Sequence, residues 1–189
     1  MVNNLTYKTF GAKAILIEWQ AIIDDKILKD ILLFKDKITS NQTIACVDII
    51  QGYNSLTLIF EDVVTDFNTQ VGVLKSIYAS KLITKNQQYY QWQIPVCYDV
   101  AFGIDLKEMS EKSNLEISEI IKLHTNTDYT IYFIGFLPGF LYLGGLHQHL
   151  FFDRKPNPRL KVPKGSVGIG GLDKLRQNID AGRKSNHYD

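Results

Sequence analysis

Apolar and polar positions along the first half of the chain alternate between two periods. "AKAILIEW" (Ala12 to Trp19) is a strand-like apolar run, and "DDKILKDILLFKDKI" then sets Ile27, Leu28, Ile31, Leu32 and Ile38 on one helical face with Asp24 placed to cap it. "TIACVDII" and "SLTLIFE" are rich in β-branched and apolar residues and flank "QGYN", whose Gly52 and Asn54 suit a hairpin turn. "DFNTQVGVLKSIYASKL" returns to helical spacing through Phe67, Val71, Leu74, Ile77 and Tyr78, and "QQYYQWQIPVCYD" (Gln87 to Asp99) reads as a long aromatic strand. The order β-α-β-β-α-β is the ferredoxin-like, split βαβ arrangement of an α+β protein. Pro95, which has no N–H for a central ladder, marks the handover to a second domain, so the expected division is 1–94 and 95–171.

The second half opens with "GIDLKEMSEKSNLEISEIIKLHTN", two helical patterns broken near Ser113 and Asn114. Between Asp105 and His124 five acidic residues stand against three lysines, the wrong sign for a helix-turn-helix facing phosphates. "DYTIYFIGF", "FIGFLPGFLYLGGL" and "RLKVPKGSVGIGG" follow as strand-like pieces punctuated by glycine and proline, which predicts a β-rich second domain with the helical pair on its side.

Composition changes this picture little. A chain of 189 residues, 45% hydrophobic and 22% charged, suffices for two small cores. With 21 basic against 20 acidic side chains it lacks the cationic excess that nucleic acid or an anionic membrane demands. Neither a signal sequence at "MVNNLTYKTF" nor an apolar run of membrane-spanning length is found, so a cytoplasmic protein is expected. Cys46 and Cys97 sit in apolar, strand-like segments and read as buried reduced thiols.

"GYNSLTLIF", "IPVCYDVAFGIDLKEMS", "IIKLHTNTDYTIYFIGFLPGFLYLGGL" and "PNPRLKVPKGSVGIGG" resemble the family of the 5-oxoprolinase B subunit, which includes the sporulation kinase inhibitor KipI and has been labelled allophanate hydrolase subunit 1. The resemblance runs from about the N-terminus to Gly171. It implies a small α/β N-terminal domain and a cyclophilin-like β-barrel C-terminal domain. It also implies partners, the C and A subunits of 5-oxoprolinase, with which 5-oxoproline is opened to glutamate using ATP; the alternative within the family is a regulatory module that binds a sensor histidine kinase. Family members continue past "GSVGIGG" with a Gln-Thr-Gly-Ile-Tyr segment and a Pro-Gly-Gly-Trp segment, whereas this chain reads "LDKLRQNIDAGRKSNHYD". Residues 172–189 are therefore expected to be a divergent tail outside an incomplete barrel, as a reading-frame change or truncation would produce, with a divergent natural ending as the alternative.

Lactam opening linked to ATP calls for phosphate and oxyanion donors, a cation for the substrate carboxylate, and an acid or base. Gly135, Gly139, Gly144, Gly145, Gly165 and Gly168 are candidates for the first, because backbone without Cβ can aim N–H groups at an anion, though tight turns need glycine equally. His124 either shuttles a proton or ends the helix "ISEIIKLH" as a cation near its carbonyls. Arg159 and Lys161 alternate along an extended segment and offer a fork and a point charge to phosphate or carboxylate; a charged edge strand would look the same. Asp105 reads as a helix cap, Tyr142 as core, and His147 with His149 as an exposed turn and not a metal site, so no metal is expected. Phe136, Phe140 and Leu143 are expected to anchor the glycine-rich loop against the barrel.

Overall fold

Alternation in "AILIE" buries Ile15 and Ile17 completely on one face, and this strand organises the first half of the protein. The computed structural model describes residues 4–41, 43–80, 89–157 and 159–169, together with the backbone of 177–180. Two compact units result, residues 1–88 and 89–189, divided shortly before Pro95.

The first unit runs β1 (Thr6–Thr9), β2 (Ala14–Glu18), α1 (Asp25–Ser40), β3 (Cys46–Gln51), β4 (Ser55–Phe60) and α2 (Phe67–Ala79). Its sheet has the antiparallel order β1-β2-β4-β3. Ile15 and Ile17 of β2 and Leu56 and Leu58 of β4 form the floor on which α1 lays Ile27, Ile31, Phe34 and Ile38. Those positions fall at i, i+4, i+7 and i+11, so the buried stripe runs through Phe34, and Leu32, expected on this face, is only half-buried. The Asp24 carboxylate caps α1 by accepting from the amides of Lys26 (2.7 Å) and Ile27 (3.3 Å), two of the donors a helix start leaves unpaired. Lys37 in the last turn of α1 donates to the carbonyls of Tyr78 and Ser80, both at 2.6 Å, and so ties the two helix ends together.

The expected sixth element is not there. Residues 89–99 form no strand, and Tyr89, Tyr90 and Trp92 are exposed; Gln87 and Gln88 lie outside the described residues. The free edge of β2, where a closing strand would pair, is taken by β1 with the register Thr6 to Glu18 through Thr9 to Ile15. Cys97 lies on the unpaired segment and is exposed, not buried, while Cys46 is half-buried.

The second unit contains α3 (Leu106–Ser113), α4 (Ile117–Thr125), β5 (Thr130–Ile134), β6 (Phe140–Gly144), a 3-10 turn at Gln148–Leu150, β7 (Val167–Ile169) and β8 (Gln177–Asp180). Asn114, at φ 55° in the left-handed region that asparagine tolerates, separates the two helices. Leu106, Ile120, Leu146 and Leu150 form the small core beneath them. The strands make one open antiparallel sheet, β5-β6-β8-β7; a closed barrel is not formed among the described residues. Of the tail 172–189, expected to stand apart, Gln177–Asp180 is the inner strand between β6 and β7; the rest of that tail lies outside the described residues. The backbone groups of this strand satisfy the edges that two neighbouring strands would otherwise leave open, a gain independent of side-chain alternation. Among the described residues no helix is long and apolar enough to cross a membrane.

Candidate functional site

The register of the second sheet sorts the candidate residues by position. Ile134 of β5 pairs with Leu141 of β6, Leu141 with Ile179 of β8, and Ile179 with Val167 of β7, so these four define one row across the sheet. The hairpin loop 135–139 and the segment leading into β7 both lie just beyond that row. Gly135, Gly139 and Gly165 therefore share one end of the sheet, with Gly139 and Gly165 separated by two strand spacings, about 10 Å. Gly144 and Gly145 lie at the opposite end, because β6 places five residues between Gly139 and Gly145, about 20 Å of strand. The glycines therefore do not converge on one anion.

Local geometry gives several of them a reason of their own. Gly139 (φ +78°), Gly145 (φ +101°) and Gly165 (φ +78°) occupy backbone regions that other residues avoid. At Gly145 a Cβ would also stand 3.0 Å from the Asp128 carbonyl oxygen. The Gly135 amide is committed to the Phe140 carbonyl at 3.1 Å. Phe136 adopts φ 64° without being glycine, and its ring is 78% exposed at the hairpin tip, so it does not anchor the loop. Leu143 is buried as expected. Phe136, Phe140, Tyr142 and Phe133 instead form a ladder of rings, with centroid distances of 5.6, 5.0 and 4.1 Å in that order.

Arg159 is the candidate with the most definite partner. Its guanidinium donates from Nη1 to Asp105 Oδ2 at 3.0 Å and from Nη2 to Oδ1 at 2.9 Å, the parallel two-bond pairing that a planar fork makes with a carboxylate. Lys155 donates to the same Oδ1 at 2.7 Å and to Glu108 Oε2 at 2.6 Å, and Lys112 reaches Glu108 Oε1 at 2.7 Å. Asp105 was expected to cap α3, but its side chain makes no cap bond. The carboxylate faces two cations instead, a stronger set of charge-assisted donors than helix amides provide. Lys161 is exposed and joins no salt bridge among the described residues.

The Arg159 hydrogen bonds, reinforced by Lys155, hold the Asp105 carboxyl down at about 2 despite partial desolvation. A group depressed on folding contributes above its unfolded value near 4 and loses that contribution as pH falls toward 2. We expect the Asp105 carboxyl resonance to titrate with a midpoint near 2 while global stability changes little, because the pair is part-exposed. A midpoint near 4 would show that the fork is open in solution.

His124 occupies the last turn of α4 and is buried. Its Nδ1 is hydrogen-bonded to the Tyr98 hydroxyl, and the Tyr129 hydroxyl donates to its carbonyl at 2.9 Å. An open groove of about 510 Å³ runs along α4, lined by Ser118, Glu119, Lys122, Leu123, Asn126, Thr127 and His147; His124 is not in its wall. His147 and His149 meet edge to face at 5.1 Å, and no group of three metal-ligating side chains occurs among the described residues.

Residues 5–173 match the family described as carboxyltransferase domain, subdomain C and D. The chain belongs to that family. It is similar to a Haemophilus influenzae protein named as the B subunit of 5-oxoprolinase, 39% identical over 138 residues that cover 73% of this chain and 63% of the relative. A Bacillus subtilis protein of the same name is 48% identical over 80 residues, 42% of this chain and 33% of the relative. The alignments thus span from one third to just under two thirds of these curated relatives. The Kluyveromyces lactis urea amidolyase shares the fold, with a TM-score of 0.68 and 15% identity over 94% of this chain and 12% of that one. Within this carboxyltransferase-type domain, sequence reasoning missed Asp105 as the partner of Arg159, which lies 54 positions away. No local signal connects two residues at that distance; the one clue was a helix-capping position filled by a residue able to do something else.

Proposed function

We propose that this chain supplies the B subunit of an ATP-dependent 5-oxoprolinase, in which 5-oxo-L-proline is opened to L-glutamate together with the C and A subunits. The observation that carries this reading is the 39% identity over 138 residues to the Haemophilus influenzae protein of that name. The geometry agrees with a share in binding. The substrate's carboxylate is untouched by lactam opening and is the natural handle for orientation, and Arg159 presents a fork already set for a carboxylate. Lys161, two residues on and exposed, adds a mobile point charge.

ATP would activate the lactam by phosphorylating its amide oxygen, making the carbon open to water. The dispersed glycines of this chain do not build a phosphate cradle by themselves, so that step belongs to the assembled complex. Glutamate release from 5-oxoproline and ATP should be undetectable with this chain alone and restored by both partner subunits. Turnover by the isolated chain, or none with both partners present, would overturn the reading.

A further inference from the structure

The ion cluster at the start of α3 holds more than a surface strut needs. Two carboxylates, Asp105 and Glu108, face three cations, Lys112, Lys155 and Arg159, so one positive charge is left over. Asp105 stands where a helix cap belongs yet makes no cap bond, and its two oxygens fill the guanidinium fork. If Arg159 let go, Asp105 would keep Lys155 at 2.7 Å and would not be stranded. Both partners are open to solvent, with side-chain exposures of 38% for Arg159 and 34% for Asp105, so an incoming carboxylate can reach the fork.

We propose that Asp105 is a built-in place-holder, an autoinhibitory carboxylate that occupies Arg159 until a ligand carboxylate displaces it. The inference rests on the reading of Arg159 as a carboxylate clamp and adds its regulation. Exchange replaces one two-bond pairing by another of the same kind, and the ligand brings the negative charge that neutralises the cluster. Because the fork must open first, the apparent affinity is the intrinsic affinity reduced by the open fraction. An exposed pair of this type closes the fork about fivefold at most.

The test titrates the full chain with 5-oxo-L-proline while following the Arg159 side-chain resonance by NMR. Asp105→Asn should tighten binding by up to about fivefold, and Asp105→Ser, which also restores a capping residue to α3, should do the same. Glu108→Gln removes an equal charge from the same cluster without touching the fork and should change affinity much less. Equal tightening by Glu108→Gln, or none by either Asp105 variant, would overturn the place-holder while leaving the clamp intact. A titration that Arg159→Gln does not affect, or no binding in wild type and Asp105→Asn alike, would remove the clamp reading and the place-holder with it.

Discussion

Replacing Phe34 by alanine is expected to destabilise the first unit by about 3–5 kcal/mol, a large part of what holds a small domain together. The ring is 1% exposed and meets Trp19 edge-on at 6.2 Å and Tyr78 at 4.9 Å. Both neighbours also donate to one oxygen of Asp30, Trp19 through its indole N–H at 2.8 Å and Tyr78 through its hydroxyl. Removing Phe34 therefore opens a void and loosens the two rings that hold a part-buried carboxylate. Burial and the Asp30 bond push the Tyr78 hydroxyl well above its ordinary value, so the phenol keeps its proton and donates at neutral pH. Leu32→Ala on the neighbouring face should cost less than half as much, since Leu32 is only partly buried. Urea unfolding followed through Trp19 fluorescence checks the pair. A larger loss from Leu32→Ala than from Phe34→Ala would show that α1 packs with its other face inward.

His124→Ala is expected to cost the second unit about 3 kcal/mol or more, through a cavity and a Tyr98 hydroxyl left without its partner. The imidazole stacks edge-on against Tyr98 at 5.7 Å and tilts on Tyr129 at 5.4 Å, so its loss removes the centre of a three-ring cluster. A proton shuttle would behave differently. General acid or base catalysis by histidine carries about 100-fold or more in rate, and that loss would appear in a variant that still folds. His124→Gln keeps a hydrogen-bonding group near Tyr98 and serves as that variant. We expect the complex assembled with it to retain its turnover within about threefold per folded molecule, against the 100-fold that catalysis demands. A collapse of turnover with unfolding curves unchanged would return His124 to the catalytic machinery.

These expectations show which parts of the molecule can be read locally. The cap at Asp24, the face through Ile27, Ile31 and Ile38, the β3–β4 hairpin and the break at Asn114 all depend on neighbours a few residues away, and each appears where the pattern places it. Phe34 is buried and Leu32 only half-buried because Phe34 lies three residues after Ile31 and four before Ile38, in line with both. The aromatic segment at 89–99 carries the apolar and aromatic marks of a strand, interrupted by Pro95, and is not one. A strand needs a free edge, and the edge of β2 had been taken by Thr6–Thr9 at the far end of the unit. In the other direction, Gln177–Asp180 has little strand character of its own yet occupies the middle of the second sheet, where its neighbours' unpaired backbone groups recruit it.

The candidate site divides in the same way. Sequence by itself determined the residue types and their order: a glycine-rich apolar hairpin, an arginine and a lysine two residues apart on an extended segment, and a histidine closing a helix. It also determined where glycine is needed, since a positive φ at Gly139 or Gly165 is a property of a few consecutive residues. Only the tertiary structure decided that Gly144 and Gly145 lie a strand's length from Gly139, that His124 faces two tyrosines and not the groove along α4, and that Asp105 fills the fork of Arg159. Hydrophobic periodicity specifies which face of an element turns inward, a short-range property written in each segment. Pairing of a charge with its counter-charge 54 residues away depends on how elements come together in space, and no period in the chain encodes it.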